Sequence, residues 1–169
     1  MFNQTIIRVG IRYGVMCGLA CFGILLLQYF LGFNPLGEVG RWSFLPMPVF
    51  LFLGIRYYKL FNDTEIGFLK GLRVGLSISF YTALTAGMLL FILLYFAGGS
   101  LIQQYVSEMK TTLEVNKAEQ IKALGQDMYN QSIEALDNIT PSLLATYDFV
   151  SRLLVGGLFS IVAAVFFRK

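Results

Sequence analysis

Apolar residues along this chain gather into four long runs, separated by short polar links and by one polar segment. The runs cover residues 10–33, 42–58, 74–97 and 149–167. A helix rises about 1.5 Å per residue, so about 20 apolar residues cross a hydrocarbon core about 30 Å thick. A helix also satisfies its own backbone where no water is at hand. All four runs are therefore predicted to be transmembrane helices. The second is the shortest, with Pro46 and Pro48 near its start, and it spans only if its aromatic ends sit in the interfaces.

Residues 98–147 change character. Gly98-Gly99-Ser100 is read as the end of the third helix. Beyond it, apolar residues recur at Val106, Met109 and Leu113, then at Ile121, Leu124 and Met128. Spacings of three and four mark an amphipathic helix. Gly125 predicts a break, and Ile133, Leu136 and Ile139 a short second helix after it. Thr140-Pro141 reads as an N-cap followed by the first residue of the fourth helix. The expected fold class is an all-α membrane protein in one domain. It has four transmembrane helices, a four-helix bundle, with an amphipathic helical segment outside between helices 3 and 4.

Charge assigns a direction to these spans. Arg8 and Arg12 flank the start of the first run, Arg56 and Lys59 the end of the second; Lys70 and Arg73 precede the third; Arg168 and Lys169 close the chain. The segment 98–147 carries three lysines against six acids, a net charge of −3. Basic residues favour the cytoplasmic side. The expectation is an inner-membrane protein, multi-pass, with both termini cytoplasmic and residues 98–147 periplasmic. The first run continues through Ile24-Leu25-Leu26-Leu27, beyond any cleavage point for a signal peptide, so it is expected to be retained.

Composition agrees with lipid as the solvent. Hydrophobic residues make up 56% of the chain and charged residues 14%, against about a quarter charged in a typical soluble domain. Mean hydropathy is +0.67. The net charge of +3 is spread over the ends of the apolar runs, so no nucleic-acid partner is expected. There is no His, which removes the commonest metal ligand and general base. Cys17 and Cys21 stand one turn apart inside the first run and read as buried thiols, too few for a metal site. No cofactor, no metal and no enzymatic activity are expected.

Three features carry candidate meaning. Gly10, Gly14 and Gly18 line one face of the first helix, and Gly67, Gly71 and Gly75 one face at the entry to the third. Small residues every fourth position let backbones approach closely, which holds helices together in lipid. The two ladders are candidate helix-packing sites, within the bundle or toward a second subunit, and they hint at a repeat of two hairpins. Asp148 and Arg152, four apart near the outer end of the fourth helix, are a candidate polar pair. No acid or base is expected near the bilayer centre. The hydroxyls of Ser77, Ser79, Tyr81, Thr82 and Thr85 could line a pore, but more often bond to their own backbone.

Two stretches carry a family resemblance. They are Ile66-Gly67-Phe68-Leu69-Lys70-Gly71-Leu72-Arg73-Val74-Gly75-Leu76 and Leu154-Val155-Gly156-Gly157-Leu158-Phe159-Ser160-Ile161-Val162-Ala163-Ala164. With the length, the four helices and the long loop before the last, the chain resembles a family of small bacterial, Bacteroidetes-type integral membrane proteins bearing a domain of unknown function. The resemblance implies a Gram-negative inner membrane and supplies no catalytic residues. The functional expectation is a non-enzymatic protein that self-assembles or serves as an accessory subunit of a membrane complex, its partners being the lipid bilayer and a second copy or another membrane protein. A small dimeric transporter or channel is the alternative.

Overall fold

The computed structural model describes residues 4–62 and 65–168, leaving Lys169 outside. Every regular element among them is helical. Helix α1 spans Gln4–Phe30, and a 3-10 helix, Glu38–Phe44, leads into α2, Pro46–Phe61. Helix α3 runs Phe68–Val115, α4 Lys117–Leu124, α5 Gln126–Asp137 and α6 Pro141–Phe167. Four stretches are long and apolar enough to cross a membrane: Gln4–Phe30, Glu38–Phe61, Phe68–Phe96 and Pro141–Phe167. Large apolar side chains such as Leu27, Leu53, Phe91 and Leu158 stay exposed along them. That surface suits lipid tails, and the protein is a membrane protein.

Local chemistry sets the helix ends. At the end of α1 the Phe33 N–H donates to the Gln28 carbonyl at 3.0 Å and the Gly32 N–H to the Tyr29 carbonyl at 3.1 Å. This is a Schellman closure, and Gly32 takes the left-handed φ of 81° that it demands. Helix α6 opens on Thr140, whose Oγ1 accepts from the Leu143 N–H at 3.3 Å, with Pro141 in the first turn. Thr140→Ala is expected to lower stability by about 1 kcal/mol, read as a shift in the denaturation midpoint in micelles. An unchanged midpoint would show that the cap is redundant with packing. Gly125 separates α4 from α5 at φ 86°.

The boundaries of three helices differ from those expected. The first helix begins at Gln4, six residues before its apolar run, and ends at Phe30 rather than Phe33. Hydropathy marks where lipid begins, whereas backbone hydrogen bonding carries a helix past that level. The second correction is larger: Gly98-Gly99-Ser100 does not end the third helix. Helix α3 continues through them for 48 residues, about 72 Å if straight. Each glycine costs a helix only about 1 kcal/mol. Leu94 and Leu101, on either side, are buried in one apolar cluster with Leu25, Leu90 and Leu144, and that packing outweighs the propensity. Ile139 also falls outside α5, which stops at Asp137.

Helix α3 is the centre of the body, packed most extensively against α6 and α1. Gly10 meets Ser77, Gly14 meets Tyr81 and Gly18 meets Thr85. Both numbers rise together, so α1 and α3 run parallel. Gly71 meets Ala164, Gly75 meets Ser160 and Gly87 meets Phe149, so α6 runs antiparallel to α3. Lys59 Nζ donates to the Phe167 carbonyl at 3.3 Å, which places the end of α2 beside the end of α6. Both ends of the described chain therefore lie at one end of the body, and the extension of α3 with α4 and α5 lies at the other. Glu108 ties that extension down: it accepts from Asn34 Nδ2 at 3.0 Å and from Gln104 Nε2 at 2.9 Å.

Candidate functional site

Among the described residues Arg152 is the largest fully buried side chain, with a relative exposure of 0%. Three kinds of partner hold it. Its Nε donates to Asp148 Oδ2 at 2.7 Å, one helical turn away. Its Nη2 donates to Ser43 Oγ at 2.9 Å and its Nη1 reaches the Ser43 carbonyl at 3.4 Å. The guanidinium lies 4.5 Å from the ring centroid of Phe44, in the range of a cation–π contact. Ser43 and Phe44 belong to the 3-10 helix, so this short element turns its carbonyl and hydroxyl inward to complete the cage. Gln28 Nε2 donates to the Val39 carbonyl at 2.8 Å and pins the same 3-10 helix to α1.

Arg152 stands further from the end of α6 than the outer-end position expected for the pair. Gly156 packs on Ser79 and Gly87 on Phe149, so Arg152 is level with the stretch of α3 between Ser79 and Gly87. In α6 itself, Pro141–Phe167, Arg152 lies two residues from the centre. Arg152 thus sits near the middle of α6 rather than at its outer end. Residues 141–148, which the hydropathy boundary left outside, belong to the helix, and they move the midpoint toward Arg152. A charge buried among membrane-spanning helices costs about 3 kcal/mol or more unless it is paired.

A cavity of about 500 Å³ opens above the pair, on the side of the α3 extension. The 3-10 helix and its approach wall one side, α3 a second and the first turns of α6 a third. Asp148 and Ser151 line it, with Tyr105, Tyr147, Glu38 and Arg41. Arg152 itself does not line it. Burial pushes the Tyr105 phenol above its ordinary range, and neighbouring Tyr147 adds to the shift. Asp148 is thus the contact between two environments, with one face toward the sealed guanidinium and the other toward the cavity. Its side chain is 15% exposed.

The remaining candidates are placed as follows. The glycine ladders do not face each other. Gly10, Gly14 and Gly18 lie against α3, while Gly71 and Gly75 lie against α6. Gly67 is the N-cap of α3 and has nothing within 4 Å, so it takes no part in close packing. The two ladders serve non-equivalent contacts, contrary to what a repeat of two hairpins would produce. Two of helix three's hydroxyls are spent on its own backbone. Ser79 Oγ donates to the Gly75 carbonyl at 2.9 Å and Thr82 Oγ1 to the Ile78 carbonyl at 2.8 Å, while Ser77 and Thr85 abut the α1 glycines. Cys17 and Cys21 are buried with sulfurs 4.0 Å apart, and the Cys21 thiol lies beside the Arg152 guanidinium. Among the described residues no three His, Cys, Asp or Glu side chains cluster as metal ligands.

A family match covers residues 12–169, nearly the whole chain, including both halves of the ion pair and every wall of the cavity. The chain belongs to the family described as Protein of unknown function (DUF4199). No curated protein and no solved structure matches it. Membership therefore places the Asp148–Arg152 pair inside the family's domain without assigning it a role. Sequence reasoning found Asp148 and Arg152 from their spacing alone. It missed Ser43, Phe44, Tyr105 and the cavity, and no local signal marks them: Ser43 meets Arg152 across 109 residues of sequence.

Proposed function

We propose that this protein is a non-enzymatic accessory subunit of a membrane complex, which engages its partner through the extension of α3 and the helices α4 and α5. The observation that carries the reading is apolar surface beyond the spans. Val115, Leu124 and Met128 are at least half exposed, with Val115 at 78%, and α4 buries none of its residues. Side chains of this kind outside lipid mark an interaction surface. The glycine ladders are consumed inside the chain, so self-assembly would use this same extension rather than the ladders. Orientation follows from charge: Arg8, Arg12, Arg56, Lys59 and Arg73 belong to the end that holds the chain termini. That end is assigned to the cytoplasm and the extension to the periplasm of an inner membrane.

The test is purification from native membranes in nanodiscs, with mass spectrometry of whatever accompanies the protein. A stoichiometric partner is expected, and Leu124→Asp with Met128→Asp should release it at an unchanged denaturation midpoint. A wild-type protein that is monomeric and partnerless in lipid sinks the proposal. A second reading, a small transporter, draws on the Asp148–Arg152 pair at the foot of a cavity, since ionisable groups within membrane-spanning helices often mark a solute path. Background flux of ions and metabolites in proteoliposomes would dismiss it.

A further inference from the structure

The cavity above Asp148 has a size and lining that select a ligand class, independently of either reading above. Its volume of about 500 Å³ falls within the range of small-molecule sites, about 300–1,000 Å³. Leu25, Leu90 and Leu144 form an apolar floor and wall, and these leucines belong to the buried cluster that supports α3. Polar groups reach the same space from each wall: Glu38 and Arg41 from the 3-10 helix, Tyr105 from α3, and Asp148 and Ser151 from α6. Such a lining suits a compact amphiphile, with an apolar body against the leucines and one polar head.

The sign of the head follows from the carboxylates. Asp148 and Glu38 line the cavity against a single cation, Arg41. Arg152 does not line the cavity and is held by Ser43 and Phe44. It holds the carboxylate in position through Oδ2, while Oδ1 receives no donor among the described residues. A carboxylate accepts several hydrogen bonds, so Asp148 keeps acceptor capacity toward the cavity. The phenols of Tyr105 and Tyr147 also line it, and aromatic faces attract cations. An anion would meet two carboxylates against one cation there.

We propose that this cavity binds an organic ammonium group carried on an apolar body, with Asp148 Oδ1 as its principal acceptor. The same chemistry is offered by a free amine and by the phosphoethanolamine headgroup of a lipid. Calorimetric titration of the full chain in maltoside micelles with benzylamine, benzyl alcohol and benzoate separates charge from shape. Native mass spectrometry of the same sample reads retained lipid. Asp148→Asn tests the acceptor but strands Arg152, so two further variants leave the ion pair intact. Ser151→Leu fills the cavity, and Glu38→Gln removes its second carboxylate.

Saturable benzylammonium binding is expected, at least tenfold tighter than the alcohol or the carboxylate. It should be lost in Ser151→Leu and weakened several-fold in Glu38→Gln. If phosphatidylethanolamine stays bound to the wild type, is displaced by benzylamine and is missing from Ser151→Leu, the ligand is lipid. Amine binding without retained lipid assigns a free amine. Equal affinity for all three probes, no binding in a lipid-free sample, or binding that survives Ser151→Leu would each overturn the proposal.

Discussion

Asp148→Ala is expected to destabilise the protein by about 3–5 kcal/mol, because it strands Arg152 as an unpaired buried charge. The guanidinium has 0% exposure, and its remaining partners, Ser43 and Phe44, are neutral. Its nearest approach to water would be the cavity that Asp148 lines. The reciprocal change, Arg152→Ala, should cost less through charge, because Asp148 is partly exposed and borders the cavity. The double replacement Asp148→Leu with Arg152→Met should recover most of the loss, since a buried pair exchanged for apolar side chains is often neutral. Unfolding in mixed micelles can be followed through Trp42, the one tryptophan of the chain, which adjoins Ser43. A single mutant as stable as the wild type would show that the pair is not structural. A double mutant as weak as the single would assign the loss to shape rather than to charge.

Gly14→Ala should come next in size. A Cβ built there would stand 2.6 Å from Tyr81 Cβ and 2.7 Å from the Ile78 carbonyl oxygen. A backbone carbonyl cannot rotate aside as a side-chain tip can, so α1 and α3 must separate. Overpacking of this kind costs about 1–3 kcal/mol, and the separated helices also lose contacts around Gly10 and Gly18. Gly23, on the same helix, has open space around it, and a Cβ added there would meet nothing within 4 Å. Gly23→Ala should therefore stabilise by about 0.5–1 kcal/mol through helix propensity alone. Opposite signs in the same unfolding assay are the expected result. A neutral Gly14→Ala would mean that the α1–α3 contact is looser than its geometry.

The sequence alone determined the helical class, the four apolar stretches, the Thr140-Pro141 start of α6 and the break at Gly125. Each rests on a local signal: hydropathy over about 20 residues, a cap spaced three residues from its donor, a backbone that only glycine adopts readily. The i, i+4 spacing of Asp148 and Arg152 was legible for the same reason. Depth was not. The position of Arg152 depends on the antiparallel register of α6 on α3, which is set by Gly75 against Ser160 and Gly156 against Ser79. Nor did the Gly98-Gly99-Ser100 stretch disclose that α3 continues, because the packing of Leu94 and Leu101 that sustains it comes from α1 and α6. Ser43, Phe44 and the cavity above Asp148 belong to tertiary structure entirely. They bring together residues far apart in sequence, through packing between helices that hydropathy and spacing do not encode.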